Sequence, residues 1–334
     1  MTGETQNRNR EKVLSIKDLS VNFKTENGLV QALRRVSIDI PPKQIVGLVG
    51  ESGCGKSTVI NSILRLLSNN AEIIQGSIHL QNKNILMMTS TQLRAIRGKR
   101  ISVIFQDPMT SLNPALSIGR QMTDIQYRDQ INQVAKRQRA IDMLTRVGIP
   151  DAEKRLKSYP HQFSGGMRQR IAIAMALIME PDLLIADEPT TALDATLQIQ
   201  IIELLKTLQK EFRCSVLFVS HHLGLVADFC DQVVVMYAGE VVESGNVRDI
   251  FHRAAHPYTK RLLECDPARI KTKTRVLPTI PGYIPDLVNL SDDCIFKDRC
   301  HVKDNKCPLP VAPLTELTPG HFVQCHLSQE GENL

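Results

Sequence analysis

The sequence predicts an α/β protein with a buried parallel sheet and a phosphate-binding loop between one strand and the helix that follows it. Three observations carry this. The apolar run Ile45–Val49 leads straight into Gly50-Glu51-Ser52-Gly53-Cys54-Gly55-Lys56-Ser57-Thr58, which has the order strand, glycine-rich turn, helix start. Leu183-Leu184-Ile185-Ala186 is a second continuous apolar run, as a strand covered on both faces requires. It ends in Asp187 and Glu188, at the carboxyl end where open α/β sheets bind ligands.

The loop's chemistry follows from its residue types. Glycines let the backbone curl so that its N–H groups converge on a phosphate, and the helix start adds a positive dipole end. Lys56 is placed to reach the β- and γ-phosphates, and the Ser57 hydroxyl to ligate magnesium. A chance match to this pattern in a chain of this length is on the order of 1%. Asp187 is positioned to organise the magnesium, and Glu188 to polarise a water for in-line attack.

Composition bounds the function class. The 334 residues are 42% hydrophobic and 23% charged, enough for one large α/β domain with an extension. No run of 18 or more apolar residues occurs, and the polar opening MTGETQNRNREK lacks the apolar core of a secretory signal, so a cytosolic protein is expected. The net charge of +6 suits an anionic ligand or an anionic membrane surface. With 4% aromatics and no Trp, base stacking on nucleic acid is disfavoured.

The elements follow in order. Val13-Leu14-Ser15-Ile16, Ser20-Val21-Asn22-Phe23 and Ser37-Ile38-Asp39-Ile40 alternate as strands, and Asn27-Gly28 marks a hairpin, so a small antiparallel sheet opens the chain. Residues 59–67 continue the helix after the loop, and Gly76-Ser77-Ile78-His79-Leu80 reads as a strand. Residues 89–165 are rich in basic and polar helical sequence and read as a helical insertion, with a strand signal at 101–105. Residues 171–179 form an apolar helix, and 215–219 and 232–237 two further strands. After about residue 250, nine prolines crowd a segment that holds four clustered cysteines, which reads as a separate, loop-rich appendage.

Phe163-Ser164-Gly165-Gly166-Met167-Arg168-Gln169-Arg170 supplies a second serine–glycine turn opening a helix, hence a second anion site. One nucleotide has no obvious use for two such sites in one chain. A head-to-tail dimer, with this element facing the partner's loop, resolves the excess.

Taken together, these motifs resemble the nucleotide-binding subunit of an ATP-binding cassette (ABC) transporter over residues 13–250. GESGCGKST looks like its Walker A, Gln106 its Q-loop glutamine, FSGGM its signature, LLIADE its Walker B, Ala192-Leu193-Asp194 its D-loop and His221 its switch histidine. The resemblance implies the P-loop NTPase core of an ABC ATPase (RecA-like), with antiparallel β and helical subdomains. It also implies ATP and magnesium as ligands. On the same resemblance, Phe23 is expected to stack on adenine, Gly50 to Thr58 to hold the phosphates, and Ser57, Gln106 and Asp187 to ligate magnesium. It implies that Glu188, His221 and Gln106 serve catalysis and that Ser164, Gly165, Gly166 and Asp194 face the partner's nucleotide. His222 and Met167 depart from the acidic residue and the glutamine common at these positions.

FSGGMRQR, His256-Pro257-Tyr258-Thr259 and Ile280-Pro281-Gly282 look like the oligopeptide/dipeptide branch of importers, with 251–334 as its C-terminal extension. The methionine in the signature looks like the first of two non-identical ATPases. That implies a heterodimeric partner ATPase, two membrane permeases, an external peptide-binding protein, and a location on the cytoplasmic face of the inner membrane. Importers of nickel and other small solutes share the branch. A soluble cassette ATPase acting on nucleic acid or ribosomes predicts a second cassette or a coiled-coil insertion, and the sequence has neither.

The tail carries Cys294-x5-Cys300-x6-Cys307-x17-Cys325. Soft thiolates suit zinc or an iron–sulfur cluster. Zinc sites usually start from tightly spaced cysteine pairs, which are absent, and Cys307-Pro308 is similar to the end of ferredoxin-type ligand runs. The branch is also similar to importers whose ATPase carries a four-iron, four-sulfur cluster in this tail. The expectation is therefore a [4Fe-4S] centre on Cys294, Cys300, Cys307 and Cys325, with zinc or no metal as the alternatives.

Overall fold

The structure, a computed structural model, describes residues 12–107, 111–191, 193–269, 277–288, 290–303, 307 and 311–329. The N-terminal MTGETQNRNRE, Pro108, the D-loop's Ala192, Pro308 and Pro310 lie outside the described residues.

Everything is arranged about strand β3 (Ile45–Val49), whose residues are all buried. It sits inside an eight-stranded sheet of order β11-β12-β10-β9-β3-β8-β7-β6. The other members are β6 (Ile101–Ile104), β7 (Leu183–Asp187), β8 (Ser215–Val219), β9 (Gln232–Tyr237), β10 (Glu240–Asn246), β11 (Thr315–Thr318) and β12 (His321–Val323). Strands β9, β3, β8, β7 and β6 run parallel, and β10, β11 and β12 extend the edge antiparallel.

Alternation along each parallel strand splits the interior in two. Ile45 and Val49, Leu184 and Ala186, and Val216 and Phe218 face one core. Val46 and Leu48, Leu183 and Ile185, and Leu217 and Val219 face the other. The first core lies under helices α6 (Gly165–Leu177), α7 (Ala195–Phe212) and α8 (Leu223–Phe229). The second lies under α1 (Lys56–Leu64) and a four-stranded antiparallel sheet of order β2-β1-β4-β5. In that sheet β1 (Leu14–Thr25) and β2 (Gly28–Ile40) form one long hairpin, with β4 (Ala71–Leu80) and β5 (Lys83–Asn84) following. The runs at 13–16 and 20–23 are one strand, broken in register near Asp18, where φ is +49°.

Residues 89–165 hold β6, an edge strand of the large sheet, as well as helices α2 (Ser90–Ile96), α3 (Ile118–Ile125), α4 (Gln133–Arg146) and α5 (Ala152–Arg155). The appendage after residue 250 is not separate. Strand β12 pairs with β10, and Val288 bridges Val30 on β2. Buried Glu243 accepts hydrogen bonds from the Ala255 and His256 N–H groups at 2.7 and 3.0 Å, and its Oε1 lies 2.7 Å from Nε2 of buried His321. Phe296 enters the first core between Tyr237 and Tyr258, with ring centroids 5.1 and 5.4 Å away. The proline-broken stretch around the cysteines is too poor in apolar side chains to fill a core of its own. It borrows the cassette's instead.

Truncating Phe296, 1% exposed, therefore destabilises the cassette as well as the tail. Phe296→Ala is expected to cost about 3–5 kcal/mol in guanidinium denaturation, read by a probe on the parallel sheet. A variant that loses only tail structure, with the sheet's unfolding midpoint unchanged, contradicts the shared core.

Candidate functional site

The loop after β3 is shaped by what surrounds it. Gly50 has φ of +153°, and a Cβ there would lie 2.1 Å from the Met236 carbonyl oxygen, so the chain turns only because this residue is glycine. Gly55, at φ +103°, is the N-cap of α1 and offers no capping side chain. The first N–H groups of α1 thus lack a side-chain cap, which is what an anion site needs. Lys56 is 8% exposed, and its Nζ donates to the Gly50 and Glu51 carbonyls at 2.8 and 2.9 Å.

A cleft of about 590 Å³ opens over this loop. It is lined by Ser52, Gly53, Gly55 and Lys56 to Thr58 from the loop, and by Gln106, Glu188, Thr191 and His221 from the ends of neighbouring strands. β6, β7 and β8 all point their carboxyl ends at β3's loop, which brings these groups together from four distant stretches of sequence. Glu188 is at their centre. One oxygen accepts from Gln106 Nε2 at 3.2 Å and Thr191 Oγ1 at 2.9 Å, and the other lies 3.0 Å from His221 Nδ1. Its backbone sits at φ +46°, a strained value for a residue with a side chain, held by its N–H bonding to the Val219 carbonyl at 2.9 Å. Partial burial pushes the Glu188 carboxyl up. The hydrogen bonds from His221 and Thr191, with the charges of His221 and Lys56, outweigh that and hold it below the ordinary glutamate range. At Asp187 burial dominates, with the Glu188 charge adding and Lys56 opposing, and the carboxyl is raised.

The other expected site residues fall elsewhere. Phe23 lies on β1 opposite Val30 and Ala71, partly buried against the second core rather than on the cleft. Ala32 and Leu287 supply the cleft's apolar wall, and Leu287 comes from the extension. Glu51 turns away from the cleft towards Arg299. Cys54 is buried beneath the loop with its thiol pushed up by burial, so it is not an accessible nucleophile. Ser164 caps α6, accepting from the Met167 N–H at 3.4 Å, and Gly166 packs on Leu197, where a Cβ would come within 3.3 Å. Neither they nor Gly165 line the cleft, and Asp194 caps α7 through the Thr196 and Leu197 N–H groups at 3.1 and 3.0 Å. Thr191, a Glu188 partner, is a polar cleft residue the motif reading passes over, as it does the apolar Ala32 and Leu287; its place three residues after Glu188 is the available signal.

Cys294, Cys300, Cys307 and Cys325 line one small cavity together with Phe296 and His256. Burial pushes the Cys294 thiol up to about 12. Among the described residues, no group of three or more His, Cys, Asp or Glu side chains stands in an arrangement that holds a metal ion. The expected metal centre is thus not seen as a preformed ligand set: the thiols share a cavity without closing on one point. No helix among the described residues is long and apolar enough to cross a membrane.

The ABC transporter family model matches residues 33–191, and the model for the oligopeptide/dipeptide transporter C-terminal region matches 242–307. The dipeptide transport ATP-binding protein DppD of Bacillus subtilis is 47% identical over 322 residues, covering 96% of both chains. The chain belongs to the ABC transporter ATP-binding subunits of the oligopeptide/dipeptide family. The probable D,D-dipeptide transport ATP-binding protein DdpD of Escherichia coli is 46% identical, over 88% of this chain and 90% of its own. Among solved structures, the ATP-binding cassette MJ0796, a dimer in a post-hydrolysis state with ADP and phosphate, superposes with a TM-score of 0.62 at 28% identity, covering 70% of this chain and 99% of its own. This ABC ATPase is thus an ATP-hydrolysing transport subunit, and the cleft over its Walker A motif is the candidate nucleotide site.

The bonding at Glu188 has a pH signature. A carboxyl held below its unfolded value adds stability that is complete above the ordinary glutamate range and is lost as pH falls through the folded value. Carboxyl-carbon NMR, assigned with Glu188→Gln, is expected to show this group titrating below the chain's exposed glutamates. A midpoint at or above theirs contradicts the bonding described.

Proposed function

We propose that this subunit binds ATP between its own loop and the signature turn of a second, non-identical ATPase, the counterpart of its own Ser164–Gly166, and that hydrolysis there drives import of dipeptides or oligopeptides. The observation that carries the reading is Glu188, held by Gln106, His221 and Thr191 above the Lys56 loop. In this reading Lys56 leaves its two carbonyls to meet the phosphates. Glu188 orients the attacking water, and His221 hydrogen-bonds the γ-phosphate. Ser57 and Gln106 line the same cleft as Glu188, and Asp187 ends the adjoining strand, an oxygen-rich set that fits magnesium in kind. When bound, magnesium neutralises charge developing on the phosphates.

The exposed Ser164 and Gly165 support head-to-tail pairing, because they cap a helix start away from this chain's own cleft. The relatives' dipeptide names support peptides as the solute over nickel, and near-full-length alignment to transport subunits leaves no basis for a nucleic-acid or ribosome role. Two membrane permeases and an external peptide-binding protein complete the assembly, with this subunit on the cytoplasmic face of the inner membrane. Residues 13–250 act as the ATPase domain and 251–334 as its extension.

In assembled transporter, Glu188→Gln is expected to keep ATP binding and lose about a hundredfold or more in hydrolysis, the scale of removing a positioned base. Lys56→Ala is expected to bind ATP poorly. Wild-type turnover in Glu188→Gln removes that residue from catalysis.

A soft-metal centre in the tail is supported by one observation, the four thiols on a single cavity. Bound there, a cluster would crosslink a segment poor in apolar residues. Anaerobically purified protein is expected to be brown, with iron and broad absorbance near about 400 nm. Colourless protein without iron ends the iron–sulfur reading, and stoichiometric zinc replaces it.

A further inference from the structure

Two motifs of the extension, His256-Pro257-Tyr258-Thr259 and Ile280-Pro281-Gly282, have no part in the chemistry above, yet both converge on one residue of the phosphate loop. That residue is Glu51. Its N–H donates to the Tyr258 hydroxyl at 3.0 Å. Its carboxylate takes a two-pronged grip from Arg299, with Nη1 at 2.8 Å and Nη2 at 3.1 Å. Its carbonyl accepts from Lys56 Nζ at 2.9 Å. Every polar group of Glu51 is therefore engaged, and the last engagement is with the lysine that serves the phosphates.

Arg299 is itself fully committed. A guanidinium has five N–H donors. Nε donates to the Pro281 carbonyl at 2.9 Å, and Nη2 also to the Ile280 carbonyl at 3.1 Å. Nη1 also reaches the Tyr237 hydroxyl at 3.2 Å, so with Glu51 all five are used. The side chain is 7% exposed and lies over the Tyr237 ring. Gly282, at φ +81°, keeps its own Cα close to this side chain, since a Cβ there would meet Arg299 Cγ at 3.1 Å. A partly buried, bidentate pair between segments 248 positions apart fixes geometry more firmly than a surface ion pair.

We propose that Arg299, with Tyr258, is a positioning residue for ATP: the extension grips Glu51 and thereby sets the shape of the phosphate loop and the resting place of Lys56. The extension is a structural part of the nucleotide site. This rests on the reading that the Lys56 loop holds ATP, and the test separates the two.

Full-length protein is titrated with ATP and magnesium by calorimetry, alongside thermal melting without nucleotide. Arg299→Gln is expected to raise the ATP dissociation constant on the order of tenfold, within the coupling range of contacting charged residues. Arg299→Lys, which keeps the charge and loses the fork, recovers part of the affinity. Glu51→Gln weakens binding in the same sense, and the double variant binds no worse than either single one. Should Arg299→Gln not fold, Tyr258→Phe and Glu51→Gln carry the same prediction. Lower melting points with wild-type ATP affinity in the Arg299 and Glu51 variants would make the contact a mere staple and overturn the proposal. If Lys56→Ala also binds like wild type, the underlying nucleotide-site reading fails too. If Lys56→Ala alone loses binding, only the positioning role fails.

Discussion

The site depends on one packing constraint, the burial of β3 on both faces between two cores. A strand covered on each side by apolar layers has no freedom to slide or tilt, because a one-residue slip would swap every side chain between the cores. Its carboxyl end is therefore fixed in space. The loop that leaves it must turn at once, since the Met236 carbonyl blocks any side chain at Gly50. Neighbouring β7 and β8 share that register, so Glu188 and His221 arrive beside the loop by the same geometry that places the loop. The chemistry is an outcome of strand order.

That geometry is held in a tense resting form. Glu188 is the non-glycine residue at the cleft with a left-handed backbone, and its carboxylate is occupied by three side-chain partners. Lys56 is occupied by two carbonyls of its own loop. In the proposed reaction Lys56 exchanges these carbonyls for the phosphates, while Glu188 stays held by its three donors. Such an exchange keeps the Lys56 charge satisfied in each state and avoids an unpaired buried lysine.

The sequence makes the site legible wherever function and local geometry coincide. Gly50 to Thr58, Gln106, Asp187-Glu188 and His221 stand out because a phosphate loop, a strand end and a turn each demand particular residues within a few positions. The parallel strands are legible as apolar runs for the same reason. Phe23 shows the limit: an aromatic on a strand gives no sign of which wall it joins, and here it packs inward while Leu287 faces the cleft. The extension shows it more fully. Pairing of β12 with β10, the bridge from Val288 to Val30, and Arg299 on Glu51 all join residues far apart in sequence. Proline content marks such a segment as loop and says nothing about what it grips. Helix α7 and strand β10 also escape a reading led by motifs. The four cysteines were legible as a group and do share a cavity, but ligand closure depends on distances no spacing encodes.

The most direct test of the account is a structure of the full-length Glu188→Gln protein with ATP and magnesium. Lys56 Nζ is predicted to have left the Gly50 and Glu51 carbonyls for the β- and γ-phosphates, with the triphosphate in the cleft bounded by Ser57, Gln106 and His221. A nucleotide bound elsewhere, or Lys56 still on its two carbonyls with ATP present, would contradict it.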